Sequence, residues 1–331
     1  MENAAQRRIL ITTVPFGEVD RTPLELLEAA GIEYLINPLN RKLREEELAE
    51  MAGAFGVLIA GTEPITDRVM ENAPHLQLIS RVGIGLDSVD LLAAKRREIA
   101  VSYTPDAPAP AVAELTIGLM VSLLRHFSLS DRRLREGHWH RFMGRRLNKI
   151  TVGVIGVGRI GRKVIRLLKP FGAKVLANDL APNEAFRDEY GFEWAEKERI
   201  YREADLITFH LPLTKVTKHL VRTEQMMLMK PDAILINTAR GGIIHELDLA
   251  KALEEKRIGG GAIDAFEEEP YNGPLSGFEN ALLTSHMGSM SEDCRARMEL
   301  EATQEAIRFL KGETCIGTVP QTEYDVQSQG L

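Results

Sequence analysis

The sequence has little cysteine and lacks an apolar run long enough to cross a bilayer. Cys294 and Cys315 are the two cysteines among 331 residues, with no CxxC pair, which argues against a disulfide framework or a structural zinc site. The longest apolar run, AVAELTIGLMVSLL at 111–124, is too short for a transmembrane helix and contains Glu114, so it predicts a buried helix. The opening residues MENAAQRRIL lack the apolar core of a signal peptide.

The chain also lacks an excess of basic charge, with 41 Lys and Arg residues against 48 Asp and Glu residues. The formal net charge is −7, whereas proteins that bind the nucleic-acid backbone are usually basic. A hydrophobic content of 44% and a charged content of 27% are ordinary for a soluble globular chain. We therefore expect a cytoplasmic protein that acts on a small molecule and has neither nucleic acid nor membrane as a partner.

Short runs rich in Val and Ile alternate with amphipathic stretches along the whole chain. The first series runs from RILIT to IAVSY, and a second series, from ITVGVIG to ALLTSH, follows the polar stretch at 132–149. This alternation predicts an α/β fold of two doubly wound parallel-sheet domains. The last long helical pattern, SEDCRARMELEATQEAIRFLKG, is expected to pack back on the first domain. The polar segment from Glu313, which contains Pro320, is expected to be loosely held.

The stretch at 152–179, VGVIGVGRIGRKVIRLLKPFGAKVLAND, raises the question of a dinucleotide site. A strand leads into Gly156, Gly158 and Gly161 in GxGxxG spacing, and a helix that Pro170 is expected to end follows them. Such glycines permit a tight turn, close approach of a pyrophosphate and close packing of helix on strand. Asp179, 18 residues beyond the last of these glycines, is placed to bind an adenosine ribose. Its carboxylate would repel a 2′-phosphate, which favours NAD over NADP; the alternative is a turn with incidental glycines.

Polar residues follow the other strands of the second series. His210 ends DLITFH, Arg240 ends AILINTAR, Asp264 follows GGGAI, and His286 ends ALLTSH. Ligands of open parallel sheets bind outside the carboxyl ends of the strands. We therefore expect an arginine, a carboxylate and a histidine at one rim beside the cofactor.

With these motifs the chain resembles the D-2-hydroxyacid dehydrogenases, a family that includes phosphoglycerate dehydrogenases and glyoxylate/hydroxypyruvate reductases. The resemblance covers nearly the whole length, including RVGIGLDSVDL, GVIGVGRIG, NTARGGIIHE, AIDAFEEEP and TSHMGS. It implies an NAD-dependent enzyme that interconverts a 2-keto acid and a D-2-hydroxy acid by hydride transfer. It implies a flavodoxin-like substrate-binding domain at 1–107 and 289–331, and a Rossmann NAD-binding domain at 108–288. It also implies a homodimer to which the region around 108–145 contributes.

The resemblance assigns the chemistry to three side chains. Arg240 binds the substrate, His286 is the general acid and base, and Glu269 is the partner of that histidine. Imidazole suits this role because it titrates near neutrality, and a carboxylate beside it orients the ring and favours its charged form. The predicted substrate loop is the backbone of Val82, Gly83 and Ile84. The predicted cofactor-binding residues are Gly156, Gly158, Arg159, Ile160, Gly161, Asp179, His210, Pro212, Thr217, Thr238, Ala239, Asp264 and Gly288.

Two other functions stay open. Many phosphoglycerate dehydrogenases carry an arginine for the substrate phosphate in the third-strand loop, where this chain has LIAGTEPIT and the acid Glu63. Such an acid would oppose a phosphate, although Arg81 could approach from the neighbouring loop. The 331 residues also hold no counterpart of the C-terminal regulatory domain of many serine-pathway members. A non-catalytic, NAD-sensing corepressor would have the same fold and the same three polar residues.

Several chemistry-bearing residues have an ordinary structural alternative. Arg240 and His286 could be a solvated turn arginine and a hydrogen-bonded strand-end histidine, and Glu269 could be part of a solvated acidic run. The HxH pair of His138 and His140 has no nearby carboxylate or thiolate partner, so we predict no metal site and favour an interface arm. The remaining histidines receive no role: His75, His126, His219 and His245.

Overall fold

The computed structural model describes residues 4–328, which divide into two compact units. The first unit comprises the chain up to Pro108 together with the residues from Ser289 onward, and the second unit comprises Ala109–Gly288. Each unit is built on one parallel sheet with helical connections. The prediction of an α/β fold with two doubly wound parallel sheets is therefore confirmed.

The helices and strands are numbered along the chain. The first part contains β1 Ile9–Ile11, α1 Thr22–Ala29, β2 Tyr34–Ile36, α2 Glu45–Met51, β3 Val57–Ala60, α3 Asp67–Glu71, β4 Leu78–Arg81, α4 Leu91–Arg96 and β5 Ala100–Tyr103. The middle part contains α5 Pro108–Leu124, α6 Phe127–Arg135, β6 Thr151–Ile155, α7 Arg159–Phe171, β7 Lys174–Asn178, α8 Glu184–Tyr190, β8 Glu193–Trp194, α9 Lys197–Glu203, β9 Leu206–Phe209, α10 Thr223–Leu228, β10 Ile234–Asn237, α11 Glu246–Glu254, β11 Gly260–Ile263 and β12 Ala281–Leu283. The last part contains α12 Glu292–Leu310 and α13 Gln321–Ser328.

The sheet of the first unit has the strand order β2-β1-β3-β4-β5, the order of flavodoxin-like folds. Every residue of β1, β3 and β4 is buried, which is why β1 and β3 are continuous apolar runs rather than alternating ones. Helix α12 packs on this sheet. Its buried residues Cys294, Met298, Ala302 and Ala306 recur every four positions and so share one face, and Ser80 Oγ donates a 2.8 Å hydrogen bond to Ala302 O.

The segment after α12 is held more firmly than expected. Tyr103 N donates to Gly317 O at 2.9 Å, and Ser102 pairs with Thr318 in an antiparallel bridge. Helix α13 adds Gln327, whose side chain accepts from Leu91 N at 2.8 Å and donates to Val89 O at 2.7 Å. The expectation of a loosely held segment from Glu313 is wrong, because this polar sequence satisfies the backbone of β5 and the start of α4.

The sheet of the second unit has the order β12-β11-β10-β9-β6-β7-β8, with all pairs parallel. The chain leaves β6 toward β7 and β8, then returns to β9 on the other side of β6. Ligands of doubly wound folds bind at such a reversal of strand order. A ligand-binding site of this sheet is therefore expected at the carboxyl ends of β6 and β9.

Helix α5 covers part of the second sheet. Its Leu119, Met120 and Leu124 are buried in the core beneath that sheet, and within the predicted buried run at 111–124 only Glu114 and Gly118 are exposed. No single helix of the described chain is long and apolar enough to span a bilayer; α5 and α6 satisfy the criterion only as a pair, with a bend of 59° between them.

Candidate active site

The glycine loop after β6 has the shape that a dinucleotide requires. Gly156 has a φ of +94°, and a Cβ there would lie 2.4 Å from His210 O, so the turn excludes any other residue. A Cβ at Gly161 would lie 2.0 Å from Gly156 O, so the absence of a side chain there lets α7 pack against the loop. At Gly158, the N-cap of α7, a Cβ would have no neighbour within 4 Å. The open side of the loop thus faces the N-terminus of a 13-residue helix, a position that favours phosphate.

The start of α7 supplies two of the predicted cofactor residues, Arg159 and Ile160. Its end differs slightly from the prediction. Pro170 lies inside the last turn, and the helix ends one residue later, with Gly172 in the left-handed conformation as its cap. A proline near the end removes a hydrogen-bond donor, but α7 stops only where glycine can adopt a positive φ.

Asp179 follows β7 and holds the glycine loop. Its Oδ2 accepts from Val157 N at 2.6 Å and its Oδ1 accepts from Ala181 N at 2.9 Å. A carboxylate has about four lone-pair positions, so two acceptor positions remain for a ribose. Asp179 is half-buried. The residues at hand, an open glycine loop, a helix N-terminus and this carboxylate, fit an NAD adenosine and pyrophosphate.

His210 lies at the end of β9, against the glycine loop. It is 9% exposed, its Nε2 is 3.1 Å from Thr208 Oγ1, and burial lowers its pKa to about 3. The ring is therefore neutral at physiological pH. Beyond it, the hydroxyl of Thr217 donates to Pro212 O at 2.6 Å and accepts from Thr214 N at 2.7 Å. Thr217 thus closes the turn that shapes this wall of the site.

The turn after β10 carries Arg240. Asn237 accepts from Ala239 N at 3.1 Å and donates from Nδ2 to Arg240 O at 2.8 Å, so its side chain fixes both ends of the turn. Thr238 is buried, with its Oγ1 2.8 Å from Thr116 Oγ1 on α5. Arg240 is half-buried and donates from one guanidinium nitrogen to Ala239 O at 2.7 Å. The turn therefore holds the arginine at the carboxyl edge of the sheet.

Asp264, just after β11, organises the segment that contains His286. It is 1% exposed, and its carboxylate accepts from Thr284 Oγ1 at 2.6 Å, Met287 N at 2.7 Å and Gly288 N at 2.9 Å. Its backbone oxygen accepts from His286 N at 2.9 Å. Three of its four carboxylate lone-pair positions thus hold the segment of His286, and one is left for a ligand such as a nicotinamide amide.

His286 and Glu269 form a pair. Nδ1 of His286 lies 2.9 Å from Oε1 and 3.1 Å from Oε2 of Glu269, and Phe266 N donates to Glu269 Oε1 at 3.2 Å. His286 has a φ of +52°, a conformation that is costly for histidine and is common at functional sites. The carboxylate fixes the Nδ1 proton, so Nε2 is the nitrogen left for proton transfer. Arg240, Glu269 and His286 thus follow the adjacent strands β10, β11 and β12.

The loop after β4 belongs to the first unit. Val82 N donates to Ala60 O at 2.8 Å, and Gly83 N donates to Thr104 Oγ1 at 2.8 Å. Gly83 has a φ of +138°. The backbone amides of Val82 and Gly83 thus donate hydrogen bonds that hold the predicted carboxylate loop in its conformation. Within residues 4–328 no acceptor lies in hydrogen-bonding reach of Ile84 N.

Two charged residues of the first unit are turned inward. Arg81 is 5% exposed and donates to the carbonyls of Val82 and Ala60. Glu63 is 1% exposed and accepts from the Thr12 hydroxyl and, at 2.8 Å, from Gly61 N. Both side chains are thus engaged in bonds that shape their own loops, and the expectations that Glu63 opposes a phosphate and that Arg81 approaches one stay predictions.

Sequence reasoning missed Asn237 and Thr104 as positioning residues. Asn237 had a signal, since an asparagine at a strand end commonly bonds to the backbone two residues on. Thr104 had none, because it reaches Gly83 across 21 positions of chain.

Comparison with known proteins agrees with this geometry. Residues 117–288 match the family model of the D-isomer specific 2-hydroxyacid dehydrogenase NAD-binding domain. The chain is 36% identical to a glyoxylate reductase of Thermococcus litoralis, over 76% of this chain and 79% of that one. It is 38% identical to a D-3-phosphoglycerate dehydrogenase of Methanocaldococcus jannaschii, over 92% of this chain but only 58% of the relative's length. The crystal structure of the TT0316 protein of Thermus thermophilus superimposes with a TM-score of 0.87 at 30% identity, covering 95% of this chain and all of that one.

The family match spans more than half of the chain and includes the glycine loop, Asp179 and the three polar strand ends. The solved neighbour extends the likeness to both units. The chain therefore belongs to the D-isomer specific 2-hydroxyacid dehydrogenases and is an oxidoreductase that uses NAD.

Proposed function

We propose that this protein reduces a small, unphosphorylated 2-keto acid to the D-2-hydroxy acid, with His286 as general acid. The observation that carries the proposal is the 2.9 Å contact between His286 Nδ1 and Glu269 Oε1 at the carboxyl edge of the second sheet. A ring held in this way presents Nε2 as a single, oriented proton donor.

Bound NADH supplies the hydride that reduces the carbonyl carbon. Protonated His286 gives its Nε2 proton to the carbonyl oxygen, and the carboxylate of Glu269 stabilises the imidazolium before that step. Arg240 binds the substrate carboxylate and stabilises charge that develops on the carbonyl oxygen. Asp264 keeps His286 in place through its bonds to the neighbouring backbone. In the oxidative direction the same histidine starts neutral and accepts the proton.

The substrate class rests on the first unit. The guanidinium of Arg81 is buried beneath its own loop, and the loop from Ala60 to Ile65 contains no basic residue. A phosphate bound at the first unit would therefore contact neither the Arg81 guanidinium nor a basic residue of the loop from Ala60 to Ile65. This favours a glyoxylate-like or hydroxypyruvate-like acid over phosphoglycerate.

The test is NADH oxidation with four acids at equal concentration: glyoxylate, hydroxypyruvate, pyruvate and 3-phosphohydroxypyruvate. We expect the highest kcat/KM with one of the three unphosphorylated acids. A highest value with 3-phosphohydroxypyruvate would identify a phosphoglycerate dehydrogenase instead. Binding of NADH without turnover of any acid would favour the NAD-sensing corepressor.

We also propose a homodimer formed through the region around 108–145. Trp139 is 84% exposed and Met143 is 94% exposed, and large exposed apolar side chains on one segment are typical of an interface. Light scattering after gel filtration should give twice the chain mass, and Trp139→Ala with Met143→Ala should shift it toward the monomer. A monomeric wild-type protein at micromolar concentration contradicts this.

A further inference from the structure

Two loops of the second unit, one after β9 and one after β10, run side by side. His219 N donates to Gly242 O at 2.6 Å, Val221 N donates to Ile243 O at 3.1 Å, and His245 N donates to Val221 O at 2.9 Å. This short parallel ladder places the imidazoles of His219 and His245 against each other, with their ring centres 4.5 Å apart. Backbone hydrogen bonds, rather than the flexible side chains, thus determine where the two rings lie.

A carboxylate completes the group. Glu267 Oε2 lies 3.2 Å from His219 Nε2, and Glu267 is tied to Glu246 by two reciprocal bonds: Glu267 N donates to Glu246 Oε1 at 2.7 Å, and Glu246 N donates to Glu267 Oε1 at 3.4 Å. One donor atom from each of His219, His245 and Glu267 lies within 4.8 Å of the other two. Both histidines are half-buried.

We propose that His219, His245 and Glu267 bind a divalent transition-metal ion of the zinc class. Imidazole nitrogens and a carboxylate oxygen are ligands that zinc prefers, at bond lengths of about 2.0–2.2 Å. Donors in a tetrahedral site are then about 3.3 Å apart, close to the 3.2 Å between His219 Nε2 and Glu267 Oε2. His245 closes the site by a side-chain rotation, and water fills the fourth position.

The surroundings of His245 resemble those of a metal-bound histidine. Its Nδ1 lies 2.9 Å from Asp248 Oδ1 but is not aligned for a hydrogen bond; the rotation that closes the site is proposed to align the two groups and leave Nε2 as the ligand nitrogen. Metal-bound histidines almost always give their second nitrogen to a carboxylate or a carbonyl in this way. Asp248 is itself held by Thr223 N at 3.1 Å. Asp248 is therefore a positioning residue for the proposed ion.

The local charge also favours a cation. The carboxylates of Glu246, Asp248 and Glu267 lie around the two histidines, and those of Glu246 and Glu267 each accept from the other's backbone N–H. His245 is the N-cap of α11, whose dipole opposes a cation. Glu246 and Asp248, in the first turn of that helix, offset the dipole. A divalent ion would relieve the repulsion between the carboxylates and tie the loop of Glu267 to the two histidine loops.

The experiment uses the full chain, stripped with EDTA and freed of chelator, and titrates it with ZnCl₂ in a calorimeter at pH 7.5. We expect one equivalent of zinc. His245→Gln, His219→Asn and Glu267→Gln should each weaken binding by tenfold or more, and Asp248→Asn by about ten- to a hundredfold. Asparagine is chosen at His219 because its φ is +52°, which asparagine tolerates.

The matched control is the double variant His138→Gln, His140→Gln, which removes an exposed HxH pair elsewhere in the second unit. It should bind zinc like the wild type. The proposal is overturned if the wild type takes up no zinc below about 100 µM, or if uptake is lost in this control and kept in the three ligand variants. Melting temperatures identify any variant that fails to fold. Glu267→Gln replaces a side chain at the protein surface, so it keeps the proposal testable in that case.

Discussion

Nδ1 of His286 lies 2.9 Å from Oε1 and 3.1 Å from Oε2 of Glu269, so both oxygens of the carboxylate face the same ring nitrogen. Removal of the negative charge should therefore take away the group that stabilises the charged ring. In keto-acid reduction the ring must start protonated, so the rate falls as pH rises. In Glu269→Gln this fall should occur at lower pH than in the wild type.

The measurement is kcat/KM for reduction and for oxidation between pH 5 and 10. Glu268→Gln, the neighbouring exposed glutamate, is the matched control and should leave both pH limbs in place. His286→Ala should lose about a hundredfold or more in turnover, as expected for a missing general acid, while it still binds NADH. Normal turnover in His286→Ala would place the proton donor elsewhere.

Asp179 should discriminate against NADPH. Its carboxylate would repel a 2′-phosphate, and it is proposed to hydrogen-bond the ribose hydroxyls, effects worth about 1–3 kcal/mol together. Asp179→Ala should narrow the preference for NADH, measured as the ratio of kcat/KM for the two cofactors. Asp188→Ala, an exposed aspartate on α8, controls for loss of charge in the same unit. Equal use of both cofactors by the wild type would contradict this role.

A buried ion pair should determine part of the stability of the first unit. Arg295 Nε lies 2.6 Å from Glu299 Oε1, both side chains are almost fully buried, and Gly17 N donates to Glu299 Oε2 at 2.8 Å. Arg295→Met leaves a buried carboxylate without its cation, which typically costs about 3–5 kcal/mol. Arg297→Met breaks an exposed pair with Glu301 on the same helix and should cost less than about 1 kcal/mol.

Urea unfolding of both variants measures the difference. Burial raises the pKa of Glu299, which indicates that desolvation outweighs the attraction of Arg295. Arg295→Met combined with Glu299→Leu should therefore recover much of the loss. Equal losses of unfolding free energy in Arg295→Met and Arg297→Met would show that the buried pair contributes no more to stability than the exposed pair.

His210 should make the second unit sensitive to acid. Burial lowers its pKa to about 3 in the folded protein, whereas an unfolded histidine titrates near 6.5. Below about pH 6.5 the unfolded chain therefore binds a proton that the folded chain does not, and stability falls until pH approaches 3. At pH 4.5 the loss from this one residue is about 3 kcal/mol.

The comparison is between wild type and His210→Gln in urea at pH 7.5 and pH 4.5, without cofactor. Between the two pH values the variant should lose less free energy of unfolding than the wild type, by about 3 kcal/mol. Other titrating groups contribute equally to both proteins and cancel in the difference. An identical pH dependence would mean that the folded protein accommodates the charged ring.

Local patterns predicted the parts of the site that local chemistry determines. The turn at Gly156, the acceptor at Asp179 and the strand ends at Arg240 and His286 follow from glycine conformations and strand periodicity, which act within a few residues. Their meeting at one edge follows from parallel topology alone. These features were accessible from the sequence because each depends on neighbours along the chain.

The sequence pattern did not predict the directions in which the side chains of the loops point. Arg81 turns under its own loop toward carbonyls, and Glu63 turns toward the Thr12 hydroxyl, 51 positions away. The approach of His219 to His245 depends on a backbone ladder between two loops. Such contacts are determined by tertiary packing, which single-sequence patterns do not report.

The pairing of Ser102 with Thr318 has a consequence for solubility. Strand β5 is the outer strand of its sheet, and unpaired amides and carbonyls on an outer strand are a template for another chain. Residues 317 and 318 occupy part of that template by pairing with Tyr103 and Ser102, and Gly317 fits so closely that a Cβ would lie 2.5 Å from Tyr103 O. By covering part of β5, the polar segment beyond α12 thus hinders aggregation through the addition of a strand from another chain.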